Sequence, residues 1–564
     1  MKPVKTSRTD DFVGSGLKPL LLLERLSRAD VLTIMSGQIL EVATHPMRQP
    51  ILPASILLAL VMSTAALAQA VAPFEVQDWS MPASELDGLV LSALREEAIE
   101  PAYPCSDEVF LRRAYLDVIG TLPEPDRVRR FLQEASPDKR ARLIDELIQR
   151  DEFADYWSLK WGDLLRIKAE FPVNLWPNAV QAYHHWVREA IRENCPYDQF
   201  ARELLTSNGS NFRVPPVNFM RAVQGREPLA LAEAVALTFM GTRLATWDEA
   251  RRADMAAFFS RVAYKKTGEW KEEIVTVSLD ANTPLDVVFP DGTKTTIAPG
   301  DDPRVAFADW LTDPDNPWFA RNIVNRIWSW LMGRGIIHEP DDIRPDNPPS
   351  NPQLLAYLER ELVASGFNLQ HIYRLILNSR TYQQSSIRRS ENPRAVALFA
   401  YYPVRRLGAE VLVDALNWIG GTGESYVSPI PEPFTFVPES QRTIALSDGS
   451  ITSPFLEMFG RPARDTGLES ERNLQPSDAQ MLYLLNSSDV QRRVARSPRL
   501  RAIARNAEGN RAELIRETYL LLLSRYPTAG EQAIAEEYWE RGSGTAATDL
   551  AWSLINSAEF LYRH

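Results

Sequence analysis

The chain has 564 residues, a hydrophobic fraction of 45% and a formal net charge of -12. Its length is enough for two to four domains of about 150 residues each, and its apolar content argues against global disorder. A net negative chain also lacks the general surface of clustered Lys and Arg that phosphate backbones require. We therefore expect a multidomain globular protein that does not bind nucleic acid.

The N-terminal region has the pattern of a secretory signal peptide. A short positive start at Met47-Arg48-Gln49 precedes an apolar run from Ile51 to Leu67, and Ala66-Leu67-Ala68 gives the small-x-small pattern of a cleavage site. The run is shorter than the roughly 20 residues of a spanning helix, which makes a membrane anchor the weaker alternative. We expect residues 1–46 to be an upstream segment with a start assigned too early and 47–68 to be the signal peptide. The mature protein is then periplasmic or extracellular, with no integral membrane span.

The chain has only two cysteines, Cys105 and Cys195. In an oxidising compartment they could pair as a disulfide, or they could remain as two buried free thiols. Two thiols cannot form a four-thiolate zinc site, and no C-x-x-C-H motif for covalent haem attachment is present. The sequence therefore predicts no metal site and no cofactor.

Helical periodicity dominates the chain on both sides of one short β-rich segment. After Ser106, apolar residues such as Leu111, Ala114 and Val118 recur at spacings of three and four, which is the period of an amphipathic helix. Similar patterns separated by Pro-marked turns predict helices throughout residues 69–265 and again throughout 303–564, among them Phe153–Ala169, Tyr197–Thr206 and Ser477–Ala495. The fold class we expect is mainly α, with multi-helix modules in two halves and a small antiparallel β-sheet between them.

The β-rich segment covers residues 266–302. Strand-like runs at Glu273–Leu279, Asp286–Phe289 and Lys294–Ile297 are rich in β-branched residues, and the last two flank an Asp291-Gly292 turn signal. We predict one small sheet of about three strands here.

The 14 tryptophans allow two interpretations. Most Trp side chains pack in cores and between domains, because they carry a large apolar area. The alternative is that some are exposed as platforms that stack on sugar rings.

Three polar clusters are denser than folding alone requires. One surrounds Asp163, the second lies on a predicted helix and the acidic loop after it, and the third is a mixed-charge run before the Ser477 helix. Each could be a network of capping bonds and interdomain ion pairs, or the lining of a cleft in which paired carboxylates bind Ca²⁺ or act as acid and base. The candidate binding residues are Asp163, Arg321, Asn325, Arg326, Asp341, Asp342, Arg464, Asp465, Glu469, Glu471 and Arg472.

Burying such charges without partners costs several kcal/mol each. We therefore expect the second and third clusters to meet, with at least one Arg–carboxylate pair bridging them.

Several motifs resemble a known pair of domains. Phe110-Leu-Arg-Arg-Ala-Tyr-Leu-Asp-Val-Ile-Gly120, Trp161-Gly-Asp-Leu-Leu165 and Pro196-Tyr-Asp-Gln-Phe200 resemble the domain of unknown function fifteen forty-nine. Asn316-Pro-Trp-Phe-Ala-Arg-Asn-Ile-Val-Asn-Arg326 and Gly333-Arg-Gly-Ile336 resemble its usual companion, domain fifteen fifty-three. The resemblance covers roughly residues 100–564. It implies a secreted protein of planctomycete type, from a group often linked to cytochrome-c-like segments.

Two departures separate this chain from that group. Many relatives carry a C-x-x-C-H segment before the Ala256-Ala-Phe-Phe259 element and a C-E-C-E-R element in the second domain. This chain has Gly241–Trp247 and Leu468–Arg472 at those places, without Cys or His. The haem or thiol-metal chemistry that the resemblance would imply is therefore disfavoured.

Three functions remain as hypotheses. The first is an extracytoplasmic binding or scaffold protein that acts with a partner protein or an envelope polysaccharide, favoured because no catalytic motif is found. The second is a hydrolase-type enzyme on polysaccharide or a related polymer, with its site in the acidic residues near 339–346 or 465–471. The third is a redox protein, which the missing haem motif makes the weakest of the three.

Overall fold

The computed structural model describes residues 70–278, 283–542 and 544–564. The expected upstream segment 1–46 and signal peptide 47–68 lie outside the described residues, as does Leu279 at the end of an expected strand. In the described part of the chain, no helix is both long enough and apolar enough to cross a membrane.

The first half is built from amphipathic helices with clear N-terminal signals. Ser84, Ser106 and Asp248 each accept a backbone N–H of the first turn of the helix that follows, while Pro125, Pro177 and Pro228 occupy first helical positions. The helices are α1 (Glu85–Glu96), α2 (Asp107–Val118), α3 (Pro125–Gln133), α4 (Lys139–Ile148), α5 (Asp151–Leu164), α6 (Pro177–Arg192), α7 (Tyr197–Thr206), α8 (Asn218–Arg221), α9 (Pro228–Val235) and α10 (Glu249–Ala257).

The second half returns to helices after the β-rich segment. They are α11 (Pro303–Leu311), α12 (Phe319–Met332), α13 (Pro352–Ala364), α14 (Leu369–Leu377), α15 (Ala409–Gly420), α16 (Pro454–Met458), α17 (Asp478–Asn486), α18 (Ser488–Ala495), α19 (Pro498–Asn506), α20 (Arg511–Leu523), α21 (Ala529–Glu540), α22 (Ala546–Ile555) and α23 (Ala558–Leu561). The protein is mainly α, as the sequence predicts.

The strands do not form the single sheet that was expected. The strands are β1 (Gly209–Ser210), β2 (Val262–Lys266), β3 (Glu273–Val277), β4 (Leu285–Val288), β5 (Lys294–Ile297), β6 (Arg405–Arg406) and β7 (Tyr562–Arg563). Strand β3 lies between β1 and β2 in one antiparallel sheet, whereas β4 and β5 form a separate hairpin. Neither β1 nor β2 was predicted as a strand, although β2 is joined to β3 by the short segment 267–272. Gly292 takes the positive φ that its turn requires.

Three helix boundaries differ from the sequence pattern. Helix α5 ends at Leu164 instead of near Ala169, because Arg166 adopts a left-handed φ of 56°. The expected helix Ser477–Ala495 is two helices, since the Ser487 hydroxyl accepts backbone N–H groups and starts α18. Helix α19 was not predicted, because none of its residues is fully buried.

The buried carboxylate of Asp117, on α2 of the first half, binds side chains of the second half. Tyr382 and Tyr402 donate hydroxyl hydrogen bonds to its Oδ2 at 2.9 and 2.8 Å. Arg563 of β7 pairs with its Oδ1 at 3.0 Å. The neighbouring Arg113 donates to the carbonyl oxygens of Tyr382 and His564. The last residues of the chain therefore complete the core around α2, which lies in the first half.

Deletion of residues 562–564 should destabilise the whole protein. The deletion removes β7 from β6, takes from Asp117 its ion pair with Arg563 and takes from Arg113 its bond to His564. Breaking a buried ion pair from one side costs about 3–5 kcal/mol. We expect a lower urea midpoint and faster proteolysis within α2. Glu391→Ala, which removes an exposed ion pair with Arg388, should leave both readouts unchanged. Equal stability of the deletion variant and the intact chain would contradict this account.

Candidate functional site

A buried network of charged side chains joins the two halves. Asp163, on the last turn of α5, pairs with two arginines of the second half: Arg464 Nε lies 2.9 Å from Oδ1, and Arg472 Nη2 lies 2.7 Å from Oδ2. Arg464 also donates to the carbonyl oxygens of Leu159 and Ile167. Three of the predicted site residues, Asp163, Arg464 and Arg472, are thus brought together from distant parts of the sequence.

Glu410 on α15 completes this network. It accepts from Arg472 Nη1 at 2.7 Å and lies 3.6 Å from Arg461 Nε. Burial acts to raise the pKa of Glu410, but the two arginines outweigh it and lower the pKa to about 2. Burial lowers the pKa of Arg461 to about 10. We call Asp163, Glu410, Arg461, Arg464 and Arg472 the interdomain clamp.

The second predicted cluster contains a separate buried pair. Arg326 on α12 pairs with Asp341 at 2.7 Å, and both side chains are only 1% exposed. The other oxygen of Asp341 accepts the backbone N–H of Glu469 at 2.7 Å. The Glu469 carboxylate in turn accepts from the indole N–H of Trp330 at 3.1 Å. The second and third clusters therefore meet at Glu469.

The bridge between them is not the Arg–carboxylate pair that was expected. In the described part of the chain, no ion pair joins Arg321, Arg326 or the 339–346 loop to the run from Arg461 to Asn473. The arginines of that run pair with Asp163 and Glu410 instead. The contact uses a backbone N–H and an indole N–H, which a sequence pattern cannot reveal.

The remaining predicted residues have local roles. Asn325 exchanges two hydrogen bonds with the backbone of Ile337, which fixes the loop after α12. Arg321 pairs with Glu359 at the surface, and Asp342 pairs with Arg344 within its own turn. Two more of the predicted carboxylates hold the third cluster: Asp465 pairs with Lys168 at 2.7 Å, and Glu471 accepts the backbone N–H of Thr466.

The two cysteines do not form a disulfide. Cys105 is a buried free thiol beside the start of α2, and Cys195 is a half-buried free thiol in the turn between α6 and α7. The backbone N–H of Cys105 donates to Gln383, whereas that of Cys195 donates to Ala190, so each lies in a different local structure.

An exposed group of aromatic side chains lies where the halves meet. The indole of Trp270 is 56% exposed and makes an edge contact with Trp176, with ring centroids 4.9 Å apart. Phe434, 40% exposed, lies 5.9 Å from Trp270. The Lys271 ammonium lies 4.6 Å from the Trp176 ring and 5.8 Å from the Trp270 ring. We call Trp176, Trp270, Lys271 and Phe434 the aromatic platform.

Residues 448–450 of the second half hold the loop that carries Trp176 of the platform. Gly449 donates to the carbonyl of Ile167, and the side chains of Asp448 and Ser450 accept the backbone N–H groups of Ala169 and Glu170. These bonds tie the 166–176 loop of the first half to the second half. The Trp176 indole N–H is buried and has no acceptor within the described residues.

Sequence reasoning named the sugar-stacking interpretation of Trp without identifying these residues. Trp270 precedes a strand, and Phe434 lies in an irregular segment with several prolines. The only sequence signal for the platform was the presence of aromatic residues in segments without a clear helical period. Glu410 was also missed, because it lies in an otherwise apolar helix.

A buried histidine borders the clamp. The His184 ring on α6 lies 3.3 Å from the Ser158 hydroxyl. Burial lowers its pKa to about 3, and the positive charges of Arg464 and Arg188 add to the effect. The ring therefore stays neutral in the folded protein at pH values where an exposed histidine is protonated.

Arg326→Ala should lower the free energy of unfolding by about 3–5 kcal/mol, because it leaves the Asp341 carboxylate buried without its cation. Arg321→Ala removes an exposed pair on the same helix and should cost about 1 kcal/mol or less. Chemical denaturation of both variants beside the parent protein measures this difference. An Arg326→Ala protein as stable as Arg321→Ala would show that the buried pair has no structural role.

Stability should fall as the pH drops from 6.5 to 5. The unfolded chain protonates His184 below a pKa near 6.5, while the folded protein does not until a pKa of about 3. Each unit of pH in this window therefore costs about 1.4 kcal/mol for this one group. His564, whose pKa burial lowers to about 4, acts in the same direction.

His184→Asn should reduce the dependence of the unfolding free energy on pH by the contribution of one histidine, about 1.4 kcal/mol per pH unit. Urea midpoints at pH 6.5, 5.8 and 5 measure this change. The exposed neighbour His185 provides the control, since His185→Asn should leave the slope unchanged. An unaltered slope in His184→Asn would mean that His184 is protonated in the folded state.

Two family models match the chain in succession. The model for PSCyt2, a protein of unknown function (DUF1549), matches residues 85–270, and the model for PSD1, a protein of unknown function (DUF1553), matches residues 303–539. No curated protein and no solved structure matches the chain. The aromatic platform draws Trp176 and Trp270 from the first matched range and Phe434 from the second. The chain therefore carries DUF1549 and DUF1553 as a pair of domains, as the resemblance of its motifs predicted.

Proposed function

We propose that this protein is an exported binding protein that holds an envelope polysaccharide on the aromatic platform. The observation that carries the proposal is the exposure of Trp270 and Phe434 beside Trp176, at a place where both halves contribute rings. Large aromatic side chains exposed together usually mark a binding surface. The expected signal peptide at 47–68 supports export.

The chemistry of the platform suits a sugar chain. A pyranose ring presents an apolar face of C–H groups and a rim of hydroxyls, and aromatic rings offer matching apolar faces. The Lys271 ammonium beside the Trp176 ring supplies a donor for the hydroxyl rim. The loop that carries Trp176 is fixed by Asp448 and Ser450, so this part of the platform would lose little conformational entropy on binding.

The state of the predicted carboxylates supports binding over hydrolysis. A general acid and base must reach the substrate. Asp341 and Asp163 are buried in ion pairs with arginine, and Asp465 pairs with Lys168. Since these carboxylates are engaged within the protein, they favour a structural role, and the platform is the better candidate for contact with a ligand.

Trp270→Ala should weaken binding to polysaccharide at least tenfold, because a central aromatic contact contributes on the order of 1.4 kcal/mol or more. Binding is measured by co-sedimentation with insoluble glycans and by quenching of intrinsic fluorescence with soluble ones. Tyr526→Ala removes a 41% exposed ring outside the platform and is the matched control.

The proposal fails if the parent protein binds no polysaccharide, or if Trp270→Ala and Tyr526→Ala bind equally well. A folded Trp270→Ala protein that loses only a protein partner would assign the platform to protein recognition instead.

A further inference from the structure

One stretch of the second half concentrates positive charge in a chain that is negative overall. Six arginines lie between Asp489 and Glu508, and no Asp or Glu interrupts them. The stretch covers most of α18 and all of α19. Helix α19 lies on the surface, with Leu500 and Ile503 only partly buried against the core.

Two of the six arginines anchor these helices to the protein. Arg493 pairs with Asp489 at 2.7 Å and with Glu424 at 3.0 Å. Arg499 pairs with Glu124 and lies 4.1 Å from the ring of Trp418. Their charges are therefore neutralised within the protein.

The other four arginines face solvent. The side chain of Arg492 is 62% exposed and only 3.6 Å from Asp489, a carboxylate already shared with Arg493. Arg496, Arg501 and Arg505 are exposed and form no ion pair within the described residues. Arg501 donates to the backbone carbonyls of Ser497 and Arg496. We call Arg492, Arg496, Arg501 and Arg505 the arginine stripe.

The arginine stripe consists of two pairs on two consecutive helices. Arg492 and Arg496 are four residues apart at the end of α18, so their side chains lie on the same face. Arg501 and Arg505 have the same spacing on α19. The bond from the Arg501 guanidinium to the Arg496 carbonyl joins the two pairs. Four exposed guanidinium groups spread over two helices match a chain that carries many carboxylates better than they match one small anion.

We propose that the arginine stripe binds the carboxylate groups of a linear acidic polysaccharide. The inference rests on the proposed function and narrows it, since it names the polymer as anionic. Guanidinium groups bind carboxylates through paired hydrogen bonds and remain charged at any physiological pH. The surplus of negative charge elsewhere would repel a polyanion, which confines its binding to this stripe.

The test compares one polymer in two charge states. Polygalacturonate carries a carboxylate on every sugar, and its fully methyl-esterified form has the same backbone without the charge. We expect the parent protein to bind the acid form at least tenfold more tightly at low salt, and the preference should shrink as ionic strength rises. The variant Arg496→Gln/Arg501→Gln/Arg505→Gln should lose that preference and keep its affinity for the ester.

The matched control removes three exposed arginines elsewhere. Arg360→Gln/Arg388→Gln/Arg541→Gln changes the net charge by the same amount and should keep the preference. Equal loss in both triple variants would overturn the inference, because net charge alone would then explain the preference. A stripe that binds anionic lipid vesicles or DNA and ignores polygalacturonate would overturn it as well.

The same experiment separates the two proposals. Equal binding of both polymer forms by the parent protein would refute the anionic specificity and leave the polysaccharide function standing. Failure to bind either form, together with failure on neutral glycans, would refute both.

Discussion

The architecture depends on charge buried between the halves. Asp163 and Glu410 share Arg472, and each also has an arginine of its own, Arg464 and Arg461. Separating the halves would take Asp163, the one member of the network that belongs to the first half, away from Arg464 and Arg472. A single unpaired charge in such a place costs several kcal/mol. The clamp therefore fixes the relative position of the two halves more strictly than apolar contact would, because an ion pair tolerates little displacement.

The positions of the clamp and the platform are linked through one short loop. Helix α5 ends directly after Asp163, where Arg166 turns the chain in a left-handed conformation. The following loop is bonded to residues 448–450 and reaches Trp176. Phe434, which meets Trp270, lies in the long irregular segment before those residues. A surface assembled in this way requires both halves, which gives a physical reason for the two domains to occur as a pair.

The sequence predicted local structure better than it predicted contacts. Helix α7 was predicted with the residues it has, because Pro196 and Ser207 bound an apolar period. The pairing of β3 with β1 was not predictable, since it joins residues more than 60 positions apart. Strand β2 pairs with β3 over a short distance in the chain, but it was not predicted as a strand. Polar density identified Asp163, Arg464 and Arg472 as important, but it could not show that they meet.

The platform marks a different limit of sequence reasoning. A tryptophan in a core and one on a surface have the same sequence signature unless periodicity distinguishes them. Trp157 and Trp328 are fully buried, while Trp270 is exposed. Trp270 lies between two strands, where no helical period assigns it a face. Glu410 shows a second limit. The apolar residues around it predict that it is buried, but they do not reveal the two arginines that neutralise its charge.

The side-chain hydrogen bonds of α2 also set a time scale for folding during synthesis. Arg112 donates to the carbonyl of Leu522, which is 410 positions later in the chain, and Arg113 donates to that of His564, 451 positions later. At roughly 5–20 residues per second, a ribosome needs roughly 20–90 s to supply those acceptors. During that interval, two guanidinium groups of the first half lack the partners that make their burial favourable. The nascent first half should therefore stay open and accessible to chaperones until those acceptors have been synthesised.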